Sequence, residues 1–119
     1  MTRESPEILD RLFGVIAERM DNPRDGSYTT TLFAGGVDMI GSKVLEEAAE
    51  LVEAAREKGP GEVVREAADL VYHAWVLLAA AGVSPEDVRR ELARREGVGG
   101  LEEKKSRSRS KIPDPKSKG

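Results

Sequence analysis

Apolar residues recur every three or four positions along most of this chain, the spacing that lines one face of an α-helix. Ile8, Leu9, Leu12, Phe13, Ile16 and Met20 form the first such stripe, and Ser5-Pro6 ahead of them predicts a capped helix start. Asn22-Pro23 and Asp25-Gly26 then break the chain. Ser27-Tyr28-Thr29-Thr30-Thr31 predicts the start of a short helix that stops at Gly35-Gly36. A long helix over 37–58 follows, closed by Gly59-Pro60-Gly61, and a fourth is predicted over 62–81, ending at Gly82. Ser84-Pro85-Glu86-Asp87 opens a fifth that runs to Glu96, before the glycines at 97, 99 and 100. No segment alternates with the period of a strand, and no internal repeat occurs. The expectation is an all-α bundle of four to five helices.

Composition narrows the class. A chain of 119 residues and 13.0 kDa fits one domain, placed here at 1–105 and followed by a basic Ser/Lys/Arg/Pro tail at 106–119 that is too polar to bury a core. Aromatics are only 4%, so aliphatic residues and alanine must build the interior. A formal charge of −3 argues against nucleic acid as a partner. Cysteine is absent, which excludes disulfides and zinc-thiolate sites. The first ten residues lack the apolar region of a signal peptide, and the longest apolar stretch, at 74–83, is too short to span a membrane. These features predict a cytoplasmic protein with no membrane partner.

The candidate chemistry lies in carboxylates on the third and fourth predicted helices. Glu46-Glu47-Ala48-Ala49-Glu50 lets Glu47 and Glu50 share a face, and Glu66-Ala67-Ala68-Asp69 does the same for Glu66 and Asp69. A tight reversal at Gly59-Pro60-Gly61 sets the two helices antiparallel, so that the acids meet. The simple alternative is a solvated acidic face. Against it, Glu62, Glu66, Asp69 and His73 share a face that runs into a segment apolar nearly all round, where a carboxylate must be paired, protonated or metal-bound. The only basic residue close by, Arg65, projects to another side. An all-oxygen donor set favours magnesium or manganese. The surplus of apolar positions over 67–81 predicts a homodimer or a dimer of dimers.

Two adjacent Glu, a third Glu three residues on and Glu-x-x-Asp in the next helix resemble the all-alpha NTP pyrophosphatases, the MazG-like group. Within it, the chain is most similar to the phosphoribosyl-ATP pyrophosphohydrolases. The likeness rests on Ser27-Tyr28-Thr29, on residues 43–50, on Glu66-Ala67-Ala68-Asp69-Leu70-Val71-Tyr72-His73 and on the ending Gly100-Leu101-Glu102-Glu103-Lys104. It implies a MazG-like bundle and magnesium-dependent hydrolysis of phosphoribosyl-ATP to phosphoribosyl-AMP and pyrophosphate in histidine biosynthesis. The alternatives are a house-cleaning (d)NTP pyrophosphatase and a non-enzymatic helical interaction module. By the same resemblance Glu47, Glu50, Glu66 and Asp69 would hold metal, and Glu46 and Glu47 are the catalytic candidates, Glu46 as a supporting group or as the base. Lys43, Ser27, Tyr28, Thr29 and His73 are the substrate-binding candidates. Lys43 has the alternative of an ion pair with Glu47, and His73 that of a core histidine or a partner to Asp69. Tyr72 and Trp75 are expected in the core or at a subunit interface. Leu45 stands where the family commonly has glycine.

Overall fold

A computed structural model describes residues 3–96. Its element order is α1 (Ile8–Asp21), α2 (Tyr28–Glu57), α3 (Pro60–Ala80) and α4 (Pro85–Glu96), and the described residues contain no strand. The all-α expectation holds. The domain boundary expected at residue 105 and the basic tail lie outside the described residues. Two compact units divide at Pro85, the first carrying α1 to α3 and the second α4.

Several helix ends differ from expectation. Helix α1 begins at Ile8, not at Ser5-Pro6, because the Ser5 and Pro6 carbonyls accept from the Ile8 and Leu9 amides in a tighter turn ahead of it. The short helix and the long one expected after it are continuous as α2, with a break inside: Gly36 takes φ 82° and ψ −180°, a backbone region that in practice only glycine enters. The predicted Gly35-Gly36 stop is therefore a kink between two helical stretches. At the α2 N-terminus Ser27 caps as expected, its Oγ accepting from the Thr30 amide at 3.2 Å. Helix α3 starts at Pro60, two residues earlier than predicted, with Gly59 as its cap; the proline φ suits a first helical turn and its missing N–H has no helical acceptor to lose.

Only Lys58 and Gly59 separate α2 from α3, so the two run antiparallel, and theirs is the most extensive helix pairing in the fold. The core forms where one stripe from each of three helices meets: Ile16 of α1, Leu32 and Ile40 of α2, and Val76 and Ala79 of α3. Leu32 and Ile40 lie on either side of the Gly36 break, and both are fully buried. Phe13, Phe33, Tyr72 and Trp75 pack around this core. Trp75 also donates from Nε1 to the Leu9 carbonyl at 2.9 Å, tying α3 to α1. In the second unit, Arg94 and Arg95 of α4 both bind Glu91 and hold its carboxyl down at about 2. No single helix among the described residues is long and apolar enough to cross a membrane.

Candidate metal centre and substrate-binding segment

Helical spacing and the α2–α3 reversal bring three carboxylates together. One oxygen from each of Glu47, Glu66 and Asp69 lies within 4.8 Å of the other two. Glu47 projects from α2 and is 8% exposed, Glu66 is half-buried and Asp69 is exposed. Of the α3 acids expected beside the buried segment, Glu66 is thus partly covered and Asp69 is not. The acid forced into the interior is Glu47, because its face of α2 is covered by α3, whereas Asp69 sits before α3 enters the core. Oε1 of Glu47 and Oε1 of Glu66 are both buried without a hydrogen-bond partner. Buried acceptors in native proteins nearly always have one.

The electrostatics agree with the geometry. Burial pushes the Glu47 carboxyl above its ordinary value, and the charges of Glu50 and Asp69 push it further. Glu66 is raised in the same way by burial first, then by Glu50, Glu47 and Asp69. Glu50 thus lies close enough to repel two members of the cluster, although it is not among the three whose oxygens converge. The nearest cations are committed elsewhere. Lys43 does not take Glu47, one of its expected alternatives; its Nζ donates to Glu46 Oε1 at 3.1 Å, and that bond raises the Lys43 value. Arg65 is bound to Glu62, whose carboxyl it lowers. A hard divalent cation fits this donor set: three converging oxygens, two of the acids with unpartnered buried atoms, and local bases already paired.

One turn beyond Asp69, α3 holds the start of α2. His73 is 5% exposed, and its Nδ1 lies 2.8 Å from the Asp69 carbonyl while its Nε2 lies 2.9 Å from Tyr28 Oη. Histidine 73 is thus a buried residue, as its core reading held, yet it contacts the backbone of Asp69 instead of its side chain. Thr29 Oγ1 and Tyr72 Oη share a very short hydrogen bond. The Tyr28 ring stacks on Tyr72 with centroids 6.2 Å apart and meets His73 edge-on at 5.8 Å. Ser27 is used by the helix cap. Tyr72, expected in the core or at an interface, packs against the core and also bonds to Thr29, a contact the sequence does not announce. The available signal was its spacing, three residues after Asp69, which turns it toward the same side of α3.

A family model described as phosphoribosyl-ATP pyrophosphohydrolase matches residues 9–96. A phosphoribosyl-ATP pyrophosphatase of Methylococcus capsulatus is 48% identical over 101 residues, covering 85% of this chain and 96% of the relative. One from Rhodopirellula baltica is 49% identical over 111 residues, covering 91% and 92%. The histidine biosynthesis bifunctional protein HisIE of Wolinella succinogenes is 43% identical over 116 residues, 92% of this chain; there the match spans about half of the relative, 51%.

Proposed function

This chain belongs to the phosphoribosyl-ATP pyrophosphohydrolase family, and we propose that it hydrolyses phosphoribosyl-ATP to phosphoribosyl-AMP and pyrophosphate in histidine biosynthesis, in the cytoplasm, with magnesium at the Glu47–Glu66–Asp69 cluster. The observation that carries the metal assignment is the pair of buried, unpartnered oxygens on Glu47 and Glu66 inside a like-charged cluster. Glu50, whose charge both of them feel, completes the donor set. Manganese, also a hard cation, suits the same oxygens.

When held by Glu47, Glu66 and Asp69, such an ion would supply charge neutralisation for phosphate oxygens and a lowered pKa for a bound water. The protein side of the chemistry is positioning. Lys43, steadied by Glu46, presents an ammonium to a phosphate one turn before the cluster. That pairing favours Glu46 as the group that orients Lys43 over Glu46 as the base. Ser27 fixes the first turn of α2, so that Tyr28 and Thr29 stand against Tyr72 and His73 beside Asp69.

The assembly we propose is a homodimer or a dimer of dimers. Val37, Leu45 and Val52 follow one stripe of α2, and all are more than half exposed, Leu45 by 72%. A second copy would cover that stripe, and Leu45 in place of the family's common glycine would then sit in the interface. The deciding assay is magnesium-dependent pyrophosphate release from phosphoribosyl-ATP, run beside a panel of deoxynucleoside triphosphates. Strong preference for phosphoribosyl-ATP, lost in Glu47→Gln and Asp69→Asn, is expected. Faster turnover of the deoxynucleotides would transfer the chain to house-cleaning chemistry.

A further inference from the structure

We propose that Tyr28 reads the sugar of the nucleotide: its phenol oxygen, made an acceptor by His73, takes a hydrogen bond from a ribose hydroxyl and so favours ribonucleotides over their deoxy counterparts. The inference rests on the nucleotide reading above and adds to it the polarity of one contact and the group contacted.

The chain of donors can be followed from one fixed end. A backbone carbonyl only accepts, so the contact of 2.8 Å between His73 Nδ1 and the Asp69 oxygen requires the proton on Nδ1. In the neutral ring Nε2 then carries the lone pair, and the contact of 2.9 Å to Tyr28 Oη must be the phenol donating to the imidazole. A phenol has one proton, and here it points inward. What Tyr28 offers outward is an acceptor and nothing else. The ring cannot easily turn to offer anything different, since it stacks on Tyr72, meets His73 edge-on, and is followed by Thr29, itself bonded to Tyr72. Tyr28 is nevertheless 49% exposed as a residue, and its bond to His73 is only partly buried, so a ligand can approach this side chain.

An outward-facing acceptor repels phosphate oxygens, which are acceptors too. Phosphates suit Lys43, whose ammonium Glu46 holds in place. The residues that would hold metal must lie over the phosphates being parted. Moving from there into the nucleotide, the first groups that can donate are the sugar hydroxyls, and the base amino group lies further out. His73 links Tyr28 to the Asp69 backbone through a single ring, which keeps the phenol close to the phosphate end.

Two measurements on the full chain test this. Because the protein has one histidine, a nitrogen-15 NMR spectrum reports His73 alone. The expected spectrum has a protonated Nδ1 and a bare Nε2, and a proton on Nε2 would overturn the proposal. The second measurement is calorimetric titration, with calcium in place of magnesium, of ATP, 2′-deoxy-ATP, 3′-deoxy-ATP and ITP. One deoxy form should bind wild type about ten-fold more weakly than ATP, as expected for loss of one partly solvated hydrogen bond. In Tyr28→Phe that ratio should fall to about one, through weaker ATP binding with deoxy binding unchanged, while the melting temperature drops because buried His73 Nε2 loses its donor. The same ratio in both proteins, no ribose preference in wild type, or discrimination that follows the amino group lost in ITP would each refute it. Pyrophosphate release from phosphoribosyl-ATP is scored separately, so failure of the function and failure of the sugar contact remain distinct results.

Discussion

Glu47→Gln should make the metal-free protein more stable and the metal-loaded protein less so. The side chain is 8% exposed, its Oε1 has no hydrogen-bond partner to lose, and two carboxylate oxygens lie within 4.8 Å. At that separation two unit charges repel by about 1 kcal/mol in water and about 3.5 kcal/mol at an effective dielectric of ~20. Asp69 is exposed and can swing aside, so the lower figure is the safer one for each pair. Removing the Glu47 charge ends its repulsion by Glu66 and Asp69, about 1 kcal/mol each, and by Glu50 besides. The gain is therefore about 2 kcal/mol, or roughly 8–16 °C in melting temperature for a domain of this size. The new amide can also donate to a neighbouring carboxylate.

The assay is thermal unfolding by circular dichroism at neutral pH, in chelator and in excess magnesium. Wild type should gain stability on adding the ion, by about 2.7 kcal/mol at a hundred-fold excess over the dissociation constant. Glu47→Gln should start higher and gain little. The pH dependence supplies an internal check. Glu47 and Glu66 are raised in the folded state, so their favourable, protonated form is fully present below the ordinary value of 4.5 and is lost as pH rises through the raised values. In chelator, wild type should therefore melt higher at mildly acidic than at neutral pH. The gap to the variant should close as pH falls. Below about pH 4.5 the trend should turn, since Glu91, lowered to about 2, loses its ion pairs in that window, though its exposure keeps the effect small. A Glu47→Gln protein that melts at or below the wild-type temperature in chelator would falsify the claim that this acid is buried among like charges.

Three further outcomes follow from single features of the fold. Gly36→Ala places a Cβ at φ 82°, so it should destabilise by about 1–3 kcal/mol even though the space beside it is open, read as a lowered denaturation midpoint in urea. Ser27→Ala removes the oxygen that accepts from the Thr30 amide and should cost about 1 kcal/mol in the same titration, with unchanged magnesium affinity by calorimetry. Leu45→Asp puts a charge on the exposed α2 stripe; sedimentation velocity should show the assembly dissociating, while a wild type that already sediments as a monomer would remove the reason for that stripe.

Much of this molecule was legible in one dimension, and the parts that were not share a cause. Helix positions followed from apolar spacing, and the Gly35-Gly36 discontinuity followed from backbone chemistry that depends on no neighbour. The acidic pattern on α2 and α3 was legible too, because three- and four-residue spacing fixes which side chains share a face. Burial was not. Asp69 lies next to the more apolar sequence, yet Glu47 is the covered acid, since cover depends on how the helices dock. Lys43 had Glu46 three residues away and Glu47 four away, both in reach; its actual partner, Glu46, is the exposed one, which leaves Glu47 without an ion-pair bond to it. The contacts of His73 and Tyr72 cross 45 and 43 residues of chain, and no local rule anticipates such pairs.

The Gly36 break is what joins these long-range contacts to the acidic cluster. Leu32 before it and Ile40 after it both reach the core, so α2 is anchored on each side of the kink. The segment ahead of the break brings Tyr28 and Thr29 to Tyr72 and His73, while the segment behind it brings Glu47 to Glu66 and Asp69. Both meetings take place on α3 within about two turns of helix, at ~5.4 Å per turn. A nucleotide has the same order of parts, phosphates and then sugar. One rigid helix can therefore set the distance between the groups proposed to bind each, and a flexible loop in its place would leave that distance to chance.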